Sequence, residues 1–436
     1  MTDPAAPIAF VPADGPLSGR IRPPGSKSLT NRALICAAMA DGVSTLRHVL
    51  LSEDTEVMIE AWRSLGVDIE LVDGGTSCRV TGCGGAPPRR SGDIFVANSG
   101  TSIRFLAAAL AACGGVYTLD GVPRMRQRPI GDLLEALGGW GVRVECLNAD
   151  DPECPPVRID SDGLSGGSVS VAGDVSSQFL SGLMMAAPYA SARAEIAVKG
   201  ELVSRPYVDM TAAVMRSFGA EVRCDGDGYA IEAPQRYRPA DYAVEPDASA
   251  ASYYLAAAAI TGGSVTVEGL GRDSLQGDVR FADVLQRMGC RVEVFADRID
   301  LEGHALSGID VDMGDISDTV QTLAVVAAFA DGVTRVRGVA HNRFKETDRI
   351  ADLARELRRV GLTVDEHEDG LTIHPGQLKP ATVQTYNDHR MAMSLSLLGL
   401  RIAELWVENP ACTAKTYPHY FEEMQRCFGL RTIRRI

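Results

Sequence analysis

Residues 247–270 read DASAASYYLAAAAITGGSVTVEGL. An acidic residue opens an apolar run that has no polar face, two glycines stop it, and SVTVE then alternates with the period of a strand. A helix that is apolar almost all round is an interior helix rather than a surface one. The same pattern returns as SLTNRALICAAMADGVSTLRHV from Ser28, SIRFLAAALAACGGVYTLDGV from Ser102 and SSQFLSGLMMAAPYASARAEIAV from Ser176. Two more copies, DTVQTLAVVAAFADGVTRVRGV from Asp318 and NDHRMAMSLSLLGLRIAELWVEN from Asn387, make six. Anchored on Lys27, Asn98, Ser176, Asp247, Asp318 and Asp388, the copies are spaced by 71, 78, 71, 71 and 70 residues.

Between the interior helices lies a second, amphipathic pattern, as in TAAVMRSFGAEVRCDGDGYAIE and ADLARELRRVGLTVDEHEDGLTIH. Each copy closes on a glycine (66, 141, 219, 289, 361 and 429) and runs into two short strands around a turn. Glycine just past a helix end marks a left-handed cap. The unit therefore reads strand, buried helix, strand, amphipathic helix, hairpin. Seventy residues is too long for a solenoid repeat, so six units predict an α/β protein of two domains with three units each. The expected domains are residues 24–240 and residues 1–23 with 241–436. The last unit lacks a second hairpin strand, and the apolar segment Pro7–Pro12 is expected to supply it.

The chain has 436 residues, 45% of them hydrophobic and 23% charged, with a formal net charge of −14. That balance supports a large core and argues against non-specific binding to nucleic acid or an anionic membrane. Local basic clusters still leave a small anion as a ligand. Ten cysteines are scattered without a CxxC pair, as free thiols are in a reducing compartment. No apolar stretch is long enough to span a bilayer, and the expectation is a cytoplasmic protein.

The starts of the interior helices carry the chemistry. A helix N-terminus offers unpaired N–H groups and a positive dipole end, so several converging on one cleft would trap an anion. Asp247 and Ser249 read as ordinary N-caps. Lys27 between two serines after Pro-Pro-Gly resembles a phosphate-binding turn, although the nucleotide loop GxxxxGK[ST] is absent. Arg32 and Arg104 lie one turn inside apolar helices, where a guanidinium calls for an anionic partner. Further basic residues cluster in Arg124–Arg128, in His341–Arg349 and at Lys415.

Taken together, these segments resemble the 5-enolpyruvylshikimate-3-phosphate synthases. PPGSKSLTNRAL, NSGTSIRFL, RMRQRPI, VSSQFLSGLMMA, SRPYVD, ISDTVQTLAV, RFKETDRI, NDHRMAM and KTYPHYF occur in that family's order across the whole chain. The resemblance implies the enolpyruvyl transferase fold, an inside-out α/β barrel of three βαβαββ repeats per domain, with the active site in the cleft between the domains. It implies a transferase of the shikimate pathway, on the route to chorismate and the aromatic amino acids. The enolpyruvyl group of phosphoenolpyruvate would pass to the 5-hydroxyl of shikimate 3-phosphate through a tetrahedral ketal, with loss of phosphate and with no metal or organic cofactor.

Residue by residue, the resemblance implies that Lys27, Ser28, Arg32, Ser176, Ser177, Gln178, Ser204, Tyr207, Asp318, His341 and Lys345 bind shikimate 3-phosphate. Lys27, Asn98, Gly100, Arg128, Gln178, Arg349, Arg390 and Lys415 would bind phosphoenolpyruvate. Asp318 is the expected base, Glu346 the expected proton donor to C3, and Lys27 the third catalytic group. Gly100 implies sensitivity to glyphosate as a competitive inhibitor, and the expected form is a monomer. His341 stands where many members carry Asn, and Phe105 where some carry Pro. The sister UDP-N-acetylglucosamine 1-carboxyvinyltransferases carry a Cys five residues before the Arg matched by Arg128, where this chain has Pro123. A binding protein that had kept only the fold need not retain Lys27, Asp318, Glu346 and Arg390.

Overall fold

The computed structural model describes residues 5–225 and 228–435. Among them are twelve α-helices. The first six are α1 (Lys27–Met39), α2 (Glu53–Ser64), α3 (Gly100–Cys113), α4 (Gly131–Gly139), α5 (Ser177–Ala186) and α6 (Arg205–Ser217). The remainder are α7 (Ala248–Thr261), α8 (Phe281–Arg287), α9 (Val320–Ala327), α10 (Ala351–Arg359), α11 (His389–Ser396) and α12 (Tyr420–Phe428). Odd-numbered helices are the apolar ones: every residue of α3, α7, α9 and α11 is buried. Even-numbered helices bury one face only, as their sequence pattern requires.

The strands form six four-stranded sheets that share one order. In the second repeat, Ser91–Phe95 runs parallel to Gly115–Asp120 across the α3 crossover, and Gly115–Asp120 pairs antiparallel with Val157–Ser161. Val157–Ser161 in turn pairs antiparallel with Arg143–Cys146. A parallel neighbour needs a long crossover, whereas a hairpin closes in a tight turn, so strand–helix–strand–helix–hairpin dictates this order. In the sixth sheet the strand Ile8–Phe10 fills the second hairpin position, between Leu405–Val407 and Thr432–Arg434. The six glycines that close the amphipathic helices all have positive φ, from 68° to 116°.

Two strands do not stay with the helix that follows them. Ser18–Ile21 leads into α1 but pairs in parallel with Ser264–Glu268, in the sheet of the fourth repeat. Asp241–Ala243 leads into α7 but pairs with Val43–Arg47, in the sheet of the first repeat. The chain accordingly divides into a continuous unit, Gly25–Glu245, and a split unit, Met1–Pro24 with Pro246–Ile436. The boundary expected after residue 240 lies after Glu245, because the parallel pairing keeps residues 241–243 with the continuous unit.

Each unit has its own core. In the continuous unit α1, α3 and α5 supply Leu34, Leu106, Leu110 and Leu183, packed with Trp62 and Trp140. In the split unit α7, α9 and α11 supply Leu255, Leu323 and Leu395, packed with Tyr253 and Tyr420. Each such aliphatic side chain stabilises by about 1.5–3 kcal/mol when fully buried. Among the described residues no helix is long and apolar enough to cross a membrane.

Candidate active site

In the continuous unit the starts of the helices carry the polar groups. Ser26 caps α1, its hydroxyl accepting from Leu29 N, and this sets Lys27 as the first helical residue. The Lys27 ammonium lies 3.1 Å from Asp54 Oδ2, a buried carboxylate in the first turn of α2. Ser102 Oγ donates to Asp54 O at 3.3 Å and accepts from Ser99 Oγ at 2.8 Å, so α1, α2 and α3 begin close together.

Arg32 is buried, and burial lowers its pKa to about 10. Its partners within the chain are neutral oxygens. Nε donates to Thr211 Oγ1 at 2.7 Å, Nη1 to Ser28 O at 2.9 Å and Nη2 to Tyr207 O at 3.1 Å. The guanidinium also stacks 5.0 Å from the centre of the Phe105 ring, so the departure at position 105 provides a platform for Arg32. Dipoles and a ring face can hold a weakly hydrated guanidinium without a counter-charge.

Arg104 donates to Gln178 Oε1 at 2.6 Å and to Pro129 O at 3.0 Å, and Gln178 Nε2 reaches Thr101 Oγ1 at 3.3 Å. These bonds tie α3 and α5 to the loop that carries Arg128. Arg128 donates to Asn98 O at 3.0 Å, and its guanidinium lies across the first turn of α3. A Cβ at Gly100 would crowd the Arg128 guanidinium, so the glycine lets it lie this close to the helix. Ser176 caps α5 by accepting from Gln178 N, and Ser177 opens that helix. Ser204 has φ 54° and sets the entry to α6, which begins Arg205-Pro206-Tyr207.

The split unit centres on Arg349, which is 2% exposed and therefore has to be neutralised in place. Nε lies 2.7 Å from Asp388 Oδ2, Nη2 2.8 Å from Glu346 Oε2 and Nη1 3.2 Å from Asp318 Oδ1. Burial opposes the charge on Arg349, but Asp388, Glu346 and Asp318 outweigh it and raise its pKa. Arg390 Nη2 lies 2.7 Å from Asp318 Oδ2, and Lys415 Nζ lies 3.7 Å from Glu346 Oε1. Two carboxylates, Asp318 and Glu346, thus each face two cations.

His341 is buried in the turn Ala340–Phe344 that Lys345 closes. Burial, then the positive charge of Lys345, pushes its pKa down to about 3, so the ring is neutral. His389 is likewise held well below the usual imidazole range, by burial and then by Arg390. Among the described residues no group of three or more His, Cys, Asp or Glu could hold a metal ion.

The structure therefore brings Asp318, Glu346, Arg349, Arg390 and Lys415 into one cluster in the split unit. In the continuous unit it links Ser28 to Arg32, Asn98 and Gly100 to Arg128, and Gln178 to Arg104. Asp247 is the N-cap expected, accepting from Ala250 N at 2.8 Å. Ser249 is not: it lies inside α7, donates to the buried Asp278 and accepts from Arg390 Nη2 at 3.4 Å. Asp54 and Asp278 were missed as site residues, whereas Asp388 stood out by its place before His389-Arg390 at a helix start.

A family model described as EPSP synthase (3-phosphoshikimate 1-carboxyvinyltransferase) matches residues 11–424. The chain belongs to this family. The 3-phosphoshikimate 1-carboxyvinyltransferase of Serratia proteamaculans is 47% identical over 424 residues, covering 96% of this chain and 97% of the relative. That of a Sulfurovum species is 46% identical over 413 residues, covering 94% and 96%. Among solved structures, EPSP synthase from Acinetobacter baumannii superposes with a TM-score of 0.81 at 24% identity, covering 98% of this chain and all of that one. The enolpyruvyl transferase NikO from Streptomyces tendae gives 0.78 at 20% identity, covering 99% and 100%. The architecture of the EPSP synthase family, the enolpyruvyl transferase fold, is the fold of this chain.

Proposed function

We infer that this chain transfers the enolpyruvyl group of phosphoenolpyruvate to shikimate 3-phosphate, the step that serves aromatic amino-acid biosynthesis. The observation that carries the mechanism is the meeting of Asp318 and Glu346 with Arg349, Arg390 and Lys415. Phosphoenolpyruvate presents a carboxylate and a phosphate, and guanidinium forks pair with both bidentately. When it binds, those anions take over cations that otherwise hold Asp318 and Glu346. A carboxylate beside an anion and deprived of its cation favours the protonated form, which is what a proton donor requires.

Glu346 then delivers a proton to C3, while Asp318 takes the proton of the attacking 5-hydroxyl as its oxygen bonds to C2. The ketal so formed carries a methyl group, a carboxylate, the phosphate and the new ether. Loss of phosphate, with a methyl proton returned to Glu346 and the proton on Asp318 passed to the departing phosphate, regenerates the double bond and both side chains. Arg349, Arg390 and Lys415 stabilise the charge on the departing phosphate. General acid–base help of this kind contributes about 10²–10⁴-fold.

Of the residues assigned to shikimate 3-phosphate, Lys27, Ser28, Arg32, Ser176, Ser177, Gln178, Ser204 and Tyr207 belong to the continuous unit, and His341 and Lys345 to the split unit. A neutral His341 meets a sugar-like hydroxyl as a hydrogen-bonding group rather than as a cation. Asn98, Gly100 and Arg128 complete the phosphoenolpyruvate set. A small anion such as glyphosate competes for these cations, and the enzyme acts as a cytoplasmic monomer. Turnover in D2O tests the mechanism: addition makes a methyl group, so elimination leaves deuterium in the vinyl group of the product. A product free of deuterium would exclude the ketal route. Undiminished turnover with glyphosate in several-fold excess over phosphoenolpyruvate would exclude the inhibitor assignment.

A further inference from the structure

Behind the Arg349–Asp388 pair lies a second polar cluster that the reaction does not use. The segment that leads to Asp388 contains two successive left-handed residues, Tyr386 at φ 54° and Asn387 at φ 55°. A side chain with a Cβ disfavours that conformation, and an aromatic residue is unusual there. The turn is held open by Glu356, a fully buried carboxylate on α10. Glu356 Oε1 accepts from Tyr386 OH at 2.6 Å, and Oε2 accepts from Gln384 N at 3.0 Å. Arg359 Nε supplies its counter-charge at 2.8 Å. A buried carboxylate is tolerated only when its oxygens are paired in this way.

The same face of α10 reaches the other catalytic loops. Arg355 Nη1 donates to Tyr386 OH at 3.2 Å, and its guanidinium stacks 5.6 Å from the centre of that ring. Arg355 also pairs with Asp352, which accepts a hydrogen bond from Thr347 in the loop of Glu346 and Arg349. Residues 352, 355, 356 and 359 follow the spacing that places side chains on one side of a helix. On the far side of the turn, Asn387 Oδ1 accepts from Asn409 Nδ2 at 3.2 Å, and Asn409 opens the turn Pro410–Lys415 that ends on Lys415. One polar chain thus runs from Thr347 through α10 and Tyr386 to the segments bearing Arg390 and Lys415.

We propose that Glu356 and Tyr386 form a latch that positions Asp388, and so the Arg349 it holds, together with Arg390 and, through Asn387 and Asn409, Lys415, so that these cations meet the carboxylate and phosphate of phosphoenolpyruvate. The inference rests on the functional reading above. Both are positioning residues: neither touches substrate, and both act by fixing a strained turn that a free chain would leave. The latch serves only the anion set of the split unit, so its loss weakens phosphoenolpyruvate and leaves shikimate 3-phosphate, held largely from the continuous unit, nearly unaffected.

The test is steady-state kinetics on wild type, Tyr386→Phe, Glu356→Gln and the double variant, each substrate varied against saturating amounts of the other. Tyr386→Phe keeps the ring on Arg355 and removes only the hydroxyl, and circular dichroism checks that it folds even if Glu356→Gln does not. The expected result is a KM for phosphoenolpyruvate raised about tenfold, the worth of a hydrogen bond to a buried charge. The KM for shikimate 3-phosphate stays within about twofold, and the double variant is no worse than the poorer single one. A lower kcat with both KM values unchanged is what a merely structural role would give, and it would overturn the latch, as would unchanged kinetics in Tyr386→Phe. Wild-type protein with no turnover would fail the functional reading itself and the latch with it.

Discussion

At the scale of single residues, the site depends on carboxylates that hold cations in place. Asp54 is 3% exposed and faces Lys27, whose side chain is 11% exposed, so the pair is shielded from solvent. Breaking a buried pair by removing one partner leaves an uncompensated charge and costs roughly 3 kcal/mol. Asp54→Asn is therefore expected to lower stability to urea by about that amount and to cut kcat/KM by about tenfold, because the ammonium is no longer aimed. Wild-type values for both would show the pair to be incidental.

His341 gives a prediction in pH. Its ordinary pKa is near 6.5, and in the folded protein it falls to about 3. The unfolded chain takes up a proton near pH 6.5 that the native site refuses until about pH 3. Stability present above pH 6.5 is thus lost as the pH falls through that window, at up to about 1.4 kcal/mol per pH unit. His341→Asn should flatten the decline in unfolding free energy between pH 6.5 and pH 4, measured by urea titration. A decline as steep as that of the wild type would show that the native imidazole is not held neutral.

At the scale of elements, the amphipathic helices end on left-handed glycines, and α12 isolates the effect. Gly429 has φ 68° and nothing within 4 Å of where a Cβ would stand. Gly429→Ala should therefore cost about 1 kcal/mol from backbone strain alone, with turnover unchanged. A neutral substitution in thermal unfolding would mean that the cap relaxes.

The helices and their caps were legible in the sequence because their signals are local: the all-round apolar runs of α3 and α7, the closing glycines and the serines at helix starts. The strand Ile8–Phe10 was legible by elimination, since the sixth copy shows only one hairpin strand and no helix claims the apolar segment Pro7–Pro12. The exchange of Ser18–Ile21 and Asp241–Ala243 was not, because pairing between distant strands leaves no local pattern. Asp54, Asp278 and Glu356 escaped for the same reason. Each is one more acid near a helix start or face, and it stands out only through a partner 27 or more residues away.

At the scale of the molecule, the strand exchange makes the two units unequal. Every strand of the three sheets in the continuous unit lies within Gly25–Glu245. The split unit needs Ile8–Phe10 and Ser18–Ile21 in two of its sheets. A fragment of residues 25–245 is expected to fold cooperatively by circular dichroism, whereas residues 246–436 alone lack two strands and should aggregate through unpaired edges. Truncation to residues 25–238 removes Asp241–Ala243 and should weaken the fragment. Equal stability of fragments 25–245 and 25–238 would contradict the parallel pairing with Val43–Arg47.

The central claim is that the cations and carboxylates gathered around Arg349 serve transfer to shikimate 3-phosphate. The most direct measurement is phosphate release from phosphoenolpyruvate, with shikimate 3-phosphate as acceptor in one reaction and UDP-N-acetylglucosamine in another. Release with shikimate 3-phosphate alone is the predicted result. Release only with the nucleotide sugar, or with neither acceptor, would contradict it.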